Sequence, residues 1–445
     1  MSEAVLIDLG EVGSRPPMAG RAGRPTARGR AGPVLAVLVL VLAAVAAAAP
    51  APRPLVRVTI PAAVGDLVFA AGDRYYVVHP GQRRVGDGER TVAAYRLPDA
   101  HLLWRRALPL DRVGWLTGLA SDTLLLTLDG PAAGRETVAV AAGTGRVWWR
   151  QGSQMLGLLP GLEVLLWTSG SGDFGVGAGG ETVTAVSPAT GTPRWSYRVP
   201  AGGWLWWDTE GTRSTGLVVM LPSGRVEIRD LGTGEVTAAA DLLPARAPAV
   251  PPAAVQIVAD LLLVTTDRPA GTVAAYGRQH LDLRWTAQLD LANEYVSACG
   301  AVLCVGRYGG GGLSVLDPAT GRVRWAYDRW SFAAPAGLSY LVAGPAAGPP
   351  DGTGLAVLEP TTGMVLADLG YWSLAWPAPA DGRLTGLRHG PRPGRARVAR
   401  LDPVRGEARV LGVVDGVTNE CQSGTGYLVC RSRDGTVGVW RLPAG

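Results

Sequence analysis

The stretch GLSVLDPATGRVRWAYD, residues 312–328, decides how the chain is read. Leu313 and Val315 alternate with small or polar neighbours, Asp317-Pro318-Ala319-Thr320-Gly321 reads as a tight turn, and Val323, Trp325 and Tyr327 alternate on the far side. An aspartate at the head of such a turn accepts backbone N–H groups two and three residues on, and glycine supplies the positive φ that completes the reversal. The return segment is aromatic and β-branched, which suits a half-buried pleated surface. The stretch predicts a β-hairpin.

The same pattern recurs as TVAVAAGTGRVWW (137–149), TVTAVSPATGTPRW (182–195), VEIRDLGTGEVTA (226–238), LAVLEPTTGMVLA (355–367) and VARLDPVRGEARV (398–410). Looser copies with altered turns run from Thr91 to Trp104 and from Thr272 to Trp285, and a half copy starts at Thr436. The starting points Thr91, Thr137, Thr182, Arg225, Thr272, Gly312, Gly354, Arg397 and Thr436 are 39 to 47 residues apart. A further pair of short strand-like segments precedes each hairpin, so each repeat predicts a four-stranded antiparallel blade. Such a blade cannot cover both of its own faces, and repeats of this kind stack so that neighbours share a core. Two packed β-sandwiches would not produce one turn at a nearly constant interval.

The count is eight or nine blades. The last unit supplies only three strands, while LVRVTI (55–60) stands alone at the start of the repeat region. Pairing this segment with Val437–Trp440 would complete the last blade and leave no open edge in the ring.

Tryptophan follows the turn glycine by four residues at Trp149, Trp195 and Trp325, and Trp104 and Trp285 hold the same place after altered turns. A side chain at one strand position in successive blades meets the next blade in the same way, so these five are read as inter-blade wedges. Ala238, Ala367 and Val410 stand where other units carry tryptophan.

The pattern Ala-x-Asp-x-x-Thr-Gly-x-x-x-Trp resembles the tryptophan-docking repeat of the pyrroloquinoline-quinone-like β-propellers. That family includes quinoprotein alcohol dehydrogenases and an outer-membrane assembly lipoprotein. Ala185, Thr190, Gly191 and Trp195 match it, as do Asp317, Thr320, Gly321 and Trp325, and Ala139, Thr144, Gly145 and Trp149. The chain resembles a membrane-anchored, actinobacterial type of this family. The resemblance implies an all-β propeller and little about chemistry, because the repeat builds the scaffold with or without a cofactor.

Of 445 residues, 47% are hydrophobic and 18% charged, with 62 glycines and 34 prolines, which fits many short strands joined by turns. All 42 basic side chains are arginine, a bias typical of GC-rich coding, and they are interspersed with acids. The +5 net charge therefore carries no nucleic-acid signal, and no nucleic acid is expected as a partner.

Residues 1–30 are polar, contain five arginines, and read as a disordered cytoplasmic tail. Residues 31–50 are uncharged and almost wholly apolar, and about 19 residues of helix span about 28 Å, close to a hydrocarbon core. They read as a transmembrane helix, with a cleaved signal peptide as the alternative. Arginines precede the segment, so the positive-inside rule places the 51–54 spacer and the propeller, residues 55–445, outside the cytoplasm. The expected location is the cell membrane, crossed once.

Cys299 with Cys304, and Cys421 with Cys430, each bracket a tight reversal and are expected to form two disulfides, since exported chains reach an oxidising compartment. Metal chemistry has little support. His79, His101, His280 and His389 are scattered in loop-like or turn-like settings, the cysteine spacings match no zinc pattern, and Asp173 in the glycine-rich GSGDFGVGAGG loop lacks the ladder of oxygen ligands that calcium needs. The quinoproteins of the resembled family hold a quinone and calcium on the ring axis, in many members against a vicinal disulfide, and this chain has no adjacent cysteine pair. No catalytic, cofactor-binding or metal-binding residue is assigned. The expected role is a non-catalytic binding or scaffolding module for an extracytoplasmic protein or cell-wall ligand, and a quinone-dependent dehydrogenase is the alternative.

Overall fold

The computed structural model describes residues 53–443 except 80–88, 111–112, 121, 131–133, 160–162, 169–180, 211–212, 244–254, 268–270, 291–292, 309–310, 337–338, 346–352 and 376–383. The 1–30 tail, the 31–50 apolar segment and the loop that carries Asp173 lie outside the described residues. No helix among the described residues is long and apolar enough to cross a membrane.

The 312–328 stretch is a hairpin, with Leu313–Leu316 antiparallel to Val323–Tyr327 and a register shift beside the turn. The Asp317 carboxylate accepts the N–H groups of Ala319 (2.8 Å) and Thr320 (3.2 Å), and Gly321 closes the turn at φ 67°. These backbone bonds, with Arg324 at 2.5 Å, hold the Asp317 carboxyl below the ordinary carboxylate range.

The described strands sort into eight four-stranded antiparallel units and one of three strands that shares an edge with its predecessor. Blade 1 begins at Leu67–Ala71, blade 2 at Val113–Ala120, blade 3 at Gln154–Leu158, blade 4 at Trp204–Glu210, blade 5 at Val255–Val258, blade 6 at Glu294–Cys299 and blade 7 at Phe332–Pro335. Blade 8 is built from Leu384–His389, Arg395–Asp402 and Glu407–Asp415, with its fourth strand borrowed from its predecessor. The long strand Val365–Leu374 is the last of blade 7, and its end, at Ser373 and Leu374, pairs with Leu387 and Gly386 of blade 8. Among the described residues one strand thus serves two blades, and the strands make nine blades.

Period-two alternation explains the uninterrupted apolar runs. Within Arg74–Val78, Tyr76 and Val78 pack toward blade 2, while Tyr75 and Val77 pack toward blade 9. A strand covered on both faces has no solvent side and is apolar throughout, as at Leu124–Leu126 and Leu261–Val264, all at most 3% exposed. Nine separate apolar cores result, each lying between two consecutive blades. The core that joins Val429, Val437 and Val439 of blade 9 to Tyr75, Val77 and Ala93 of blade 1 closes the ring into a β-propeller.

Closure depends on the first described strand. Arg57–Ile60 pairs antiparallel with Val437–Arg441, matching Arg57 with Trp440 and Ile60 with Val437. Ile60 is fully buried, whereas Val56 and Val58 are exposed, so only the end of this outermost strand reaches a core. The Arg57 guanidinium donates to Ser432 Oγ (2.8 Å) and Thr436 Oγ1 (3.0 Å). Just upstream, the chain also grips blade 8. Leu55 N–H donates to Val413 O (2.9 Å) and Val413 N–H to Arg53 O (3.1 Å), a parallel contact centred on Pro54.

Removing the outermost strand should expose the edge of Val437–Arg441 and open the core beneath Ile60. A chain starting at residue 62 is expected to aggregate, or to melt at least several degrees below one starting at residue 51. Monomer yield and thermal unfolding of the two provide the check, and equal values would show that the strand is not the clasp.

Candidate functional site

The repeated tryptophans lie between blades with one geometry. The indole N–H of Trp104 donates to Ala142 O (2.8 Å), Trp149 to Pro188 O (2.7 Å), Trp195 to Leu231 O (3.1 Å), Trp285 to Pro318 O (2.8 Å) and Trp325 to Pro360 O (2.9 Å). In each case the acceptor stands at the head of the next blade's hairpin turn, and the ring lies flat on that turn's glycine. A Cβ added to Gly321 would meet the Trp285 ring at 2.4 Å, and one added to Gly145, Gly191, Gly234 or Gly363 would meet the preceding blade's indole at 2.5 to 2.8 Å. The turn glycines thus serve two purposes, positive φ and bare surface under an indole.

At two of the turns that no tryptophan approaches, the left-handed position carries a side chain. Blade 4 ends in Ala238, and the turn of blade 5 has Leu281 in the left-handed position at φ 54°. Blade 9 ends in the Arg57–Ile60 strand, and the turn of blade 1 has Ala100 at φ 54°. Between blades 7 and 8, Ala367 faces Gly406, whose added Cβ would meet the Ala367 Cβ at 2.5 Å, and the buried Trp372, its N–H bonded to Leu369 O (2.6 Å), fills that core instead. Val410 is 43% exposed and fills no gap. Repeat spacing singled out neither Trp372 nor the buried Trp330 and Trp440, because they stand outside the repeated position.

Disulfides join Cys299 to Cys304 and Cys421 to Cys430. Each links the first two strands of one blade, the former inside the core between blades 6 and 7 and the latter inside the core between blades 8 and 9. Of the histidines, His101 opens a strand and His389 closes one, burial pushing its imidazole below the ordinary histidine range. His79 joins a junction that the sequence did not mark. Its Nδ1 lies 2.9 Å from Oδ2 of the buried Asp66, which also accepts Ala63 N–H (2.7 Å), while Arg431 donates to the carbonyls of Asp66 and Ala63 (2.8 Å each). This network ties blade 9 to the entry of blade 1.

Three polar side chains on or beside the axis-side strands are committed to neighbouring segments. Gln256 of blade 5 donates to Val296 O of blade 6 (2.5 Å), Gln422 of blade 9 accepts Ala70 N–H of blade 1 (3.1 Å), and Ser423 donates to Ala375 O (3.1 Å). Among the described residues no three histidine, cysteine, aspartate or glutamate side chains converge as metal ligands.

One acid stands apart. Glu181 is only 6% exposed, and its Oε1 has no geometrically formed hydrogen bond among the described residues. It immediately precedes the third strand of blade 3, Thr182–Val186, whose Val183 and Ala185 face blade 4. Burial pushes its carboxyl above the ordinary carboxylate range, partly offset by the indole N–H of Trp167 beside it.

In sequence, no family model matches the chain and no curated protein does. In structure, it is similar to BamB from Moraxella catarrhalis, at 14% identity over 87% of this chain and 100% of the other, with a TM-score of 0.43. It is also similar to the quinohemoprotein alcohol dehydrogenase from Comamonas testosteroni, at 13% identity over 88% and 77% with a TM-score of 0.43. The C-terminal WD40 domain of Sif2 matches at 9% identity over 88% and 99%, with a TM-score of 0.41. The fold assignment rests on the chain's own strand order and its nine cores.

Two outcomes are expected from these contacts. Gly321→Ala places a methyl group inside the Trp285 ring contact at a positive φ and should cost about 2–4 kcal/mol, whereas Ala100→Gly relieves a left-handed alanine under no indole and should be neutral or stabilising by up to about 1 kcal/mol. Urea unfolding of both variants provides the check. For Glu181, the folded state holds its proton to higher pH than the unfolded chain does, so its contribution is fully favourable below the ordinary glutamate range and is lost as pH rises through the raised value. Glu181→Gln should therefore match the parent at pH 4 and exceed it at pH 8 by on the order of 1 kcal/mol. A difference independent of pH would contradict the assignment.

Proposed function

We propose that the chain is a membrane-tethered, extracytoplasmic propeller that works as a non-catalytic binding or scaffolding module, held by residues 31–50 with its amino terminus in the cytoplasm. The observation that carries this reading is the use of the axis-side polar side chains Gln256, Gln422 and Ser423 as links between blades. With the axis side engaged in holding the ring, recognition falls to the rims and outer strands, where large apolar side chains such as Tyr308 (65% exposed), Tyr371 (55%) and Val404 (70%) face solvent. The two buried disulfides support an oxidising compartment. The partner is a protein or cell-wall component on that side of the membrane.

The quinone-dependent dehydrogenase is the competing reading. Incubated with pyrroloquinoline quinone and calcium, the protein should show no saturable quinone uptake and no dye-linked oxidation of alcohols or sugars. Stoichiometric uptake with turnover would move it to the enzymes. For topology, protease added to intact spheroplasts should digest the propeller, and complete protection would reverse the orientation.

A further inference from the structure

Charge is unevenly spread around the ring. Blades 8 and 9, residues 53–60 and 384–443, hold twelve arginines against five acids, a net +7, whereas residues 61–383 hold 25 arginines against 29 acids, a net −4. These are the two blades at which the chain enters. Arg53 follows the apolar 31–50 segment by three residues, and its carbonyl accepts Val413 N–H of blade 8 (3.1 Å).

The arginines of this seam are poorly neutralised from within. In blade 8, Arg388 stands directly opposite Arg397, and Arg400 directly opposite Arg409. Like charges paired across strands destabilise a sheet, so the fold gives no reason for them. Arg400 donates through Nη2 to Pro443 O (3.4 Å), while its buried Nη1 makes no hydrogen bond among the described residues. The seam's ion pairs, Arg395 with Asp415 (3.6 Å) and Arg405 with Asp402 (3.9 Å), are long, and among the described residues Arg53, Arg392, Arg397, Arg409, Arg433 and Arg441 are exposed without one. In the same two blades Val56 (83% exposed), Val404 (70%) and Val410 (43%) face solvent.

A surface that combines unneutralised guanidiniums with exposed valines suits the headgroup region of an anionic membrane, where arginine meets phosphate and small apolar side chains enter the interface. Distance selects the bilayer over a soluble polyanion. Three residues of extended chain reach about 10 Å, close to the Debye length of about 8 Å at physiological ionic strength, so an anchor at residues 31–50 holds Arg53 within the field of the headgroups.

We propose that blades 8 and 9 dock on the phosphodiester headgroups of anionic phospholipids in the membrane to which the chain is tethered, with Arg53, Arg397 and Arg409 among the contacts. This deepens the tethered-module reading and rests on it.

The full-length protein is reconstituted in vesicles of phosphatidylcholine alone and in vesicles with about 30% phosphatidylglycerol. Flotation with both is expected and reports the anchor. Amide hydrogen exchange reports the docking: strands Arg395–Asp402 and Glu407–Asp415 should exchange several-fold more slowly in the anionic vesicles, and the difference should vanish in about 0.5 M salt. The triple variant Arg392→Gln, Arg397→Gln and Arg409→Gln breaks no ion pair and should lose this protection. Arg146→Gln, Arg194→Gln and Arg322→Gln together remove the same charge from exposed positions of blades 2, 3 and 6 and should keep it. Melting curves establish that both triple variants fold, and the lipid and salt comparisons on the parent stand without them. Absence from the phosphatidylcholine fraction overturns the tether and the docking together. Flotation with equal exchange in the two lipids, or equal loss of protection in the two triple variants, overturns the docking alone.

Discussion

The contact on which this ring depends is an indole laid on a glycine. Five times, a tryptophan leaves the last strand of one blade, covers the turn glycine of the next and donates its N–H to the carbonyl at the head of that turn. The contact combines apolar burial, a directed hydrogen bond and a steric rule against any Cβ beneath the ring. Blade spacing and blade angle are set together by it, because moving either blade would break the bond or open the stack. The glycines are specified by the neighbouring blade as much as by their own backbone, which is why Leu281 and Ala100 can occupy left-handed turn positions where no indole arrives.

The docked indoles are unevenly distributed. They join blades 1 to 4 in succession and blades 5 to 7 in succession; none joins blade 4 to 5, and none joins any pair along the arc from blade 7 through 8 and 9 to 1. That arc relies on other devices: the strand shared by blades 7 and 8, the grip of Arg53–Leu55 on Val413, the Arg57–Ile60 strand and the Asp66, His79 and Arg431 network. Ring closure is thus a matter of chain connectivity and charge on one side and of repeated aromatic packing on the other.

The local features were legible in the sequence. A turn read from Asp317 to Gly321 is a short-range signal, and so are the alternation on either side of it and the orphan strand at residues 55–60. The number of blades was not, because Val365–Leu374 belongs to two of them and no residue within it marks the change of partner. The buried acid was missed for a related reason. Glu136 and Glu181 both stand close before a Thr-Val pair, yet Glu136 lies three residues before Ala139 and Glu181 four before Ala185, the equivalent alanine of the next repeat. An odd and an even step in a strand point to opposite faces, so Glu136 reaches Arg150 at 2.6 Å while Glu181 turns into the core. Parity counted from the turn would have separated them.

The entry of the chain at Arg53 also determines how the ring would carry a load. Tension applied to that end would pass first through the parallel contact with Val413 and then into the antiparallel ladder between Arg57–Ile60 and Val437–Arg441. Pulled along its own axis, a strand in a ladder strains its cross-bonds together instead of peeling them singly, and here it presses against two different blades in turn. A tether attached at this point would draw on the joint strength of both blades at the seam, so a place that no docked indole crosses is also one fit to bear force.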